Sequence, residues 1–464
     1  MDQSKTPFDL KLTENIEAIA ISIAMALVLK FFVIEAYQIP TGSMQPTILG
    51  DQVAGIKDRI FADKLVTMLR DPKRWEVMIF RFPLDERRLY VKRIVGLPGE
   101  TLTVQGGDIW INGEVAAKPD SVNESVLKTV FPTTDDGIDI GRAFHSTSAE
   151  PVDIFSDRAV FPAGQATSMS LRKHVRDKYL DGYDSDWGIN GSTAAHNAVP
   201  DLDLALTVAL EPGAGALNLR FTTNSQNTTF VLPAEGSGDS ARVELTTPDD
   251  QSPRTVSIPG ERTLPVGTDV EIVARSVDRR VVLWVDGDEW LRFDDMLAPD
   301  HPDIPTRSSI EVTVDGGATV TDMVVRRDIF YLPNTASSGS PMAQWTIPDD
   351  SYFGMGDNTQ NSYDSRSWQT ITFDLNDGQS ITGFDLDFTA GLGRPVPPDA
   401  NPKYLRNGSI LFADVHGDEY SLWPHDIKGR SEHPAPFIHE RYLLGKAIMV
   451  FWPVYDPFRW KLIQ

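Results

Sequence analysis

The sequence predicts a mainly β protein with one N-terminal transmembrane helix and a large inserted β-sandwich. Three observations predict it. The apolar run from Ala18 to Ile34, AIAISIAMALVLKFFVI, holds Lys30 as its single charge and reaches the minimum length of a bilayer span. Between Arg87 and Glu114, period-two apolar pairs (Leu102 with Val104, Ile109 with Ile111) and an Asn112-Gly113 turn read as consecutive strands and a hairpin. Further alternating stretches from residue 201 to residue 332, separated by turn signals, have the spacing of a sandwich.

The bounds agree with that plan. At 464 residues the chain exceeds one ordinary core and divides into several domains. Its formal net charge of -23 argues against a nucleic-acid binder, because a phosphate backbone demands clustered Lys and Arg. It has no cysteine, which removes disulfides, thiolate metal sites and cysteine nucleophiles.

The apolar run fits a retained membrane anchor over residues 15–36, with a cytoplasmic tail over 1–14. Lys30 can snorkel to the headgroups and Tyr37 follows at the interface. A cleaved leader, a buried core helix and an interfacial helix are the alternatives. Glu14 and Glu17 stand where a leader would carry basic residues. The flanking charges (Lys5 and Lys11 before, Lys57 and Arg59 after) do not by themselves orient it.

Three stretches carry candidate chemistry. In IPTGSMQPTILGD, from Ile39 to Asp51, a lone hydroxyl on Ser43 is flanked by glycine, methionine and proline. In RRLYVKRIVGLPGE, from Arg87 to Glu100, Lys92 lies within a strand among Tyr90, Val91, Ile94 and Val95. On the inward face it is desolvated, which favours the neutral amine; on the outward face it is an ordinary solvated lysine. The third, SYFGMGDNTQNSYDSRSW from Ser351 to Trp368, has the composition of a loop built on Asx turns.

Together these stretches resemble the type I signal peptidases, membrane-anchored serine proteases. SMQPT (Ser43 to Thr47) resembles the family's nucleophile box, YVKRIVGLPGE (Tyr90 to Glu100) its lysine box, and GDNTQNSYDSR (Gly356 to Arg366) its final box. RWEVMIFRFP (Arg74 to Pro83) resembles the strand between the first two, and LLGKAIMVFWP (Leu444 to Pro453) the closing strand.

The resemblance implies Ser43 as nucleophile and Lys92 as general base. A serine hydroxyl attacks only when a base takes its proton, and a neutral buried lysine can be that base. None of the eight histidines lies in the first two boxes, which disfavours a Ser-His-Asp triad. The family further implies an oxyanion site formed by the Ser43 N–H and the Thr41 hydroxyl, where many members have serine. It implies support from Gly356, Ser362, Asp364 and Arg366, with Ser362 bonding Lys92 and the other two side chains paired. Ile39, Pro40, Gly42, Tyr90 and Val91 are the expected substrate-binding wall for an extended peptide. Two departures stand out: Thr359-Gln360 replaces a charged pair, and Glu100 replaces the commoner aspartate. The resemblance calls for no cofactor and no metal.

The expected segments are a catalytic core over 37–118, 346–370 and 440–464, interrupted by a sandwich over 119–345 and a second insertion over 371–439. DLDLALTVAL (Asp201 to Leu210) places Leu202, Leu204, Leu206, Val208 and Leu210 on one face. With VVLWVDGDEWLRF and IEVTV, the insertion resembles the laminin-G and concanavalin-like jelly rolls. That implies a glycan or protein ligand, for which Trp284 and Trp290 are candidate platforms and ordinary core the alternative. Asp181, Asp184 and Asp186 lack the spacing and bidentate glutamate of a calcium loop. Residues 384–403 read as a linker.

The implied function is removal of N-terminal signal peptides from exported preproteins. It places the catalytic domain on the extracytoplasmic side of the cell (inner) membrane, with the lipid bilayer and the secretion translocon as partners. The aromatic tail MVFWPVYDPFRWKLIQ is expected to rest on that bilayer. Two alternatives come from other classes: a membrane-anchored, lectin-like binding protein with a vestigial protease core, and a self-cleaving repressor using a Ser-Lys dyad. The latter lacks a helix-turn-helix here.

Overall fold

The structure, a computed structural model, describes the chain apart from residues 1–6, 29, 31–32, 52–55, 133–138, 178–196, 224–225, 248–252, 295–306, 334–341, 361, 386–399 and 453–459. It is mainly β and divides into two compact units. One comprises Met1–Gly99, Ile347–Gly356 and Ser362–Gln464; the other comprises Glu100–Thr346 and Asp357–Asn361. Asp181, Asp184 and Asp186 lie outside the described residues, as does most of the expected linker.

The first unit begins with helix α1 (Pro7–Val28). The expected span over 15–36 is therefore not one helix: Ile34, Glu35 and Ala36 belong to strand β1 (Ile34–Gln38). Backbone pairing of β1 with β2 (Arg59–Asp63) draws them out of the helix. Among the described residues no helix is long and apolar enough to cross a membrane. Even so, Ile16, Ile19, Ile21, Ile23 and Met25 on α1 each keep more than half of their surface exposed.

The central sheet of this unit continues with β3 (Val77–Phe82), β4 (Asp85–Gly96), β5 (Ser351–Met355), β6 (Ile438–His439), β7 (Leu443–Trp452) and β8 (Lys461–Leu462). Its order is β1-β2-β7-β3-β4-β5-β6, with β8 hydrogen-bonded to β7. Val77, Met78, Ile79 and Phe80 on β3 are fully buried, so both faces of the central strand are covered. One apolar cluster joins Ile39, Met44, Ile48, Ile60, Val77 and Ile79. Another gathers Phe80, Phe82, Trp368 and Phe384 with Tyr90, with Phe82 and Trp368 edge to face at 5.3 Å.

The expected second insertion forms two three-stranded sheets. One pairs Gln369–Leu375 with Ser380–Phe384 and Ile427–Pro434; the other comprises Lys403–Tyr404, Ile410–Ala413 and Glu419–Leu422. Ile371, Phe373, Ile381 and Phe412 close a small core of their own. The aromatic tail is partly folded into the central sheet rather than free: Phe451 on β7 stacks on Phe61 at 3.9 Å, and Ile463 is 4% exposed.

The second unit is a sandwich of an eight-stranded and a seven-stranded sheet. Leu202, Leu204, Leu206, Val208 and Leu210 on the strand Leu202–Leu210 are all at most 2% exposed, and one shared cluster extends through Leu217, Leu219, Val312 and Val314. Asp286-Gly287 turns the hairpin between Arg280–Val285 and Asp288–Asp294, with φ of 48° and 82° as a type I′ turn requires. Trp290 packs against the core and Trp284 lies beneath the Arg275 guanidinium at 4.9 Å, so neither ring is a bare platform. Residues 100–118, expected in the catalytic core, fall in this unit, because Thr101–Gln105 pairs with Met342–Thr346.

A buried charge cluster crosses this unit. Lys118 Nζ donates to Asp278 at 2.5 Å and to Asp328 at 2.6 Å. Burial works against the ammonium, but the two carboxylates outweigh it and hold Lys118 well above the usual lysine value. Burial, reinforced by Asp278, pushes Asp108 up to about 7; burial, partly offset by Lys118, pushes Asp328 up to about 6. A raised carboxyl pKa means that the folded form binds the proton more tightly. The stability it contributes is full below the unfolded value near 4 and declines as pH rises toward the folded value. The sandwich is therefore expected to melt at higher temperature near about pH 5 than near about pH 7.5, and Asp108→Asn should flatten that slope. Calorimetry across this range is the check; a melting temperature that rises with pH would contradict it.

Candidate active site

Ser43 sits in a single 3₁₀ turn, Gly42–Met44, entered from Thr41 in extended conformation. Met44 and Ile48, at 1% and 0% exposure, anchor the loop in the first unit's core, and Ser43, just before Met44, is half-buried. Two glycines shape the approach. A Cβ on Gly50 would stand 2.6 Å from the carbonyl oxygens of both Ile39 and Thr41, so only glycine lets the chain pass there. Gly42 lies against the Gln45 side chain, which donates to the Gly50 carbonyl at 3.5 Å.

Lys92 is carried by β4 opposite Met78 of β3. It is 2% exposed, and its Nζ donates to Ser43 Oγ at 2.8 Å. The amine also lies 5.6 Å from the centre of the Tyr90 ring. On the neighbouring strand, Gly354 faces the lysine: a Cβ there would be 3.1 Å from Lys92 Cβ and 2.8 Å from Ile438 Cδ1. The inward alternative for this strand lysine is the one realised.

The loop after β5 supplies a buried ion pair. Arg366 Nε donates to Asp364 Oδ1 at 2.8 Å and Nη2 to Oδ2 at 2.7 Å, both side chains being fully buried. Asp364 also accepts from the Gly356 N–H at 2.9 Å. Burial tends to raise the Asp364 carboxyl, but the Arg366 guanidinium outweighs it and, with a smaller contribution from Lys92, holds it below the usual carboxylate range.

Ser362 departs from expectation. It is 3% exposed and close to the site, yet among the described residues its hydroxyl has no hydrogen-bond partner, Lys92 included. The reason is local packing. A Cβ on Gly356 would overlap both Ser362 Oγ and the Ser43 carbonyl oxygen, so the hydroxyl lies against main chain while the lysine is engaged by Ser43.

The remaining expected residues divide by burial. Ile39 is core, and Val91 packs half-buried against the same cluster. Tyr90 and Gly42 are half-buried, whereas Pro40 and Thr41 are exposed. The Thr41 side chain does not cap the turn. Thr359 and Gln360 donate to the Phe330 and Asp177 carbonyls at 2.7 Å and 3.0 Å. Glu100 begins the second unit. Gly50, Gly354 and Arg93 were not singled out from sequence; the glycines within ILGD and YFGMG were the available signal.

Comparison with known proteins places this geometry. The family described as "Signal peptidase, peptidase S26" matches residues 12–149 and 312–382. Over these residues the chain is similar to the S26 signal peptidases. Signal peptidase I of Pseudomonas fluorescens is 41% identical over 102 residues, covering 20% of this chain and 36% of that protein. Signal peptidase I of Leptolyngbya laminosa is 34% identical over 119 residues, covering 24% and 55%. The chain thus spans between about a third and about half the length of these relatives. Among solved structures, the carbohydrate-binding module CBM66 from Bacillus subtilis aligns at 10% identity with a TM-score of 0.24, covering 39% of this chain and 93% of that one. Chicken galectin 2 aligns at 14% identity with a TM-score of 0.21, covering 27% and 88%. Likeness at this level says nothing of shared ligands.

Gly356 offers a structural test. Gly356→Ala forces a methyl into space held by Ser362 and the Ser43 main chain, an overpacking worth about 1–3 kcal/mol. A lower urea midpoint at unchanged slope is expected, and an unshifted midpoint would show that the loop relaxes freely.

Proposed function

We propose that this chain is a serine endopeptidase of the signal peptidase I kind, which removes N-terminal signal peptides from exported preproteins with Ser43 and Lys92. The observation that carries the reading is the 2.8 Å hydrogen bond between a Lys92 amine only 2% exposed and the Ser43 hydroxyl. Burial disfavours the ammonium and leaves a base aimed at the proton it has to remove. Asp364 would favour the charged form, but its paired Arg366 offsets that field.

The chemistry follows in two stages. Ser43 Oγ attacks the scissile carbonyl carbon as Lys92 Nζ accepts the hydroxyl proton. The developing oxyanion meets the Ser43 N–H and the Thr41 hydroxyl, which the turn leaves uncommitted to capping. Collapse breaks the C–N bond, and the Lys92 ammonium returns the proton to the leaving amine. Water, deprotonated by the same amine, then releases the acyl group. An extended substrate would run along Ile39, Pro40, Gly42, Tyr90 and Val91, with small side chains required where the wall is closed by core residues. Ser362, buried beside Gly356, would orient Lys92 by accepting from its amine once Ser43 is acylated and no longer engages it.

The exposed apolar side chains of α1 favour membrane attachment, with the catalytic unit on the extracytoplasmic side where signal peptides emerge and the translocon delivers them. Carbonate-washed membranes should retain the protein; full release into the wash would contradict attachment.

The decisive assay uses purified, detergent-solubilised protein and a synthetic peptide spanning a signal-peptide cleavage site. Ser43→Ala should fall to background and Lys92→Ala should lose about 10²–10⁴-fold, the usual worth of a positioned base. Lys92→Arg should not recover, because a guanidinium does not deprotonate in this range. Since the neutral amine is the active form, the rate should rise with pH along an alkaline limb that is absent in Lys92→Ala. Undiminished cleavage by Ser43→Ala would sink the reading.

A further inference from the structure

The nucleophile loop is irregular, and no strand partner fixes Ser43 opposite Lys92, yet the two atoms meet at hydrogen-bond distance. What holds them there is a set of contacts from the other side of the sheet. Arg93, the residue after Lys92 on β4, is fully buried. Successive strand side chains leave opposite faces, so the pair reaches out on both sides of β4. Arg93 Nη1 donates to the Trp75 carbonyl at 2.6 Å and to the Gln464 carbonyl at 2.9 Å, while Nη2 reaches Thr47 Oγ1 at 3.5 Å. Thr47 is four residues beyond Ser43 and 1% exposed. One strand therefore touches the same short loop at two points, through Lys92 at Ser43 and through Arg93 at Thr47.

The segment Lys461–Gln464 completes the arrangement. Its strand β8 pairs with β7 through Met449 and Val450, and the Ile463 N–H donates to the Ile448 carbonyl at 2.9 Å. Inward and outward side chains alternate: Ile463 is 4% exposed, whereas Trp460 and Leu462 are 46% and 66% exposed. Ile463 joins the apolar cluster of Met44 and Ile48, on either side of the loop's midpoint. Lys461 Nζ reaches the Pro46 carbonyl at 3.4 Å. The loop is thus gripped at Met44, Pro46, Thr47 and Ile48 by groups that never meet a substrate.

We infer that Arg93, Lys461 and Ile463 form a positioning clamp that sets the Ser43–Lys92 distance by pressing the loop against β4, and that none of them touches substrate. This rests on the Ser43–Lys92 reading and adds the element that keeps the dyad in register. A loop of this kind needs such a clamp because a misplacement of about 1 Å at the reacting atoms can cost about 10²-fold in rate. Arg93 suits the task through its planar fork, which serves acceptors in two directions at once, whereas an ammonium would be a point donor.

The test measures kcat and KM separately with the synthetic cleavage-site peptide, on full-length detergent-solubilised protein. Arg93→Lys is expected to lower kcat about 10- to 100-fold with KM within about twofold, because the dyad is disturbed and the substrate wall is not. Lys461→Ala is expected to lower kcat about threefold or more, and Lys461→Arg to restore it by renewing the donor to Pro46. Purely structural damage would lower the melting temperature without this split and without that rescue. If Arg93→Lys fails to fold, Lys461→Ala and its rescue decide alone. Wild-type kcat in the folded Lys461→Ala and Arg93→Lys variants would overturn the clamp, provided Ser43→Ala is inactive. Activity surviving in Ser43→Ala would instead overturn the dyad on which the clamp rests.

Discussion

A lysine amine held out of water against a serine hydroxyl is the constraint around which the first unit is arranged. An ammonium in that position would be costly to bury, so the site works only where the surroundings tolerate the neutral amine. The sheet supplies those surroundings. Met78 stands across the ladder from Lys92, Tyr90 offers its ring face, and Gly354 gives up its side chain so that the next strand can close over the lysine stem. Asp364 introduces a negative charge, which Arg366 engages with two hydrogen bonds inside the same buried pair. What these contacts share is that they bury Lys92 beside Ser43.

The same requirement explains why so much of the loop carrying Ser43 is glycine, proline or buried aliphatic. After Ser43 the chain dips into the core at Met44 and Ile48, and Gly50 then packs against the Ile39 and Thr41 carbonyls at a distance no side chain allows. Regular hydrogen bonding is minimal there: Gln45 N–H to the Gly42 carbonyl at 3.2 Å, and Ile48 N–H to the Met44 carbonyl at 2.9 Å. Packing and side-chain donors replace the ladder that a strand would have provided.

The sandwich answers to different physics. Its two sheets close over one continuous aliphatic core, large enough to be stable by apolar burial, and the alternation that creates this core is plain along Leu202–Leu210. Being self-sufficient, such a unit can be inserted at a surface turn of another fold without drawing on that fold's core. Its ionic cluster around Lys118 is specified by shape rather than pattern. Lys118, Asp278 and Asp328 are far apart in the chain, and each would read as an ordinary surface charge before folding.

Much was legible before any coordinates. Period-two alternation marked the sandwich strands, since a sheet with one wet face imposes that period. The turn dipeptides Asn112-Gly113 and Asp286-Gly287 marked hairpins, since both residues must adopt positive φ, and here they do. The boxes around Ser43, Lys92 and Asp364 were visible through their resemblance to the type I signal peptidases; composition alone would read Lys92 as a solvated lysine and the last stretch as a loop. Other features depended on contacts between distant residues, to which local patterns are blind. Strand pairing of Ile34–Gln38 with Arg59–Asp63 took Ile34, Glu35 and Ala36 out of the expected span. Close packing of Gly356 against Ser43 and Ser362 left the Ser362 hydroxyl without a hydrogen bond to the lysine. Folding of Lys461–Leu462 onto β7 took part of an aromatic tail into the core. The sequence by itself determined which groups were available and which periods their strands would follow, because both depend on neighbours a few residues away. Tertiary structure alone decided that Lys92 faces inward, that it meets Ser43 rather than Ser362, and that Arg93 reaches Thr47, because those outcomes depend on which surfaces close together.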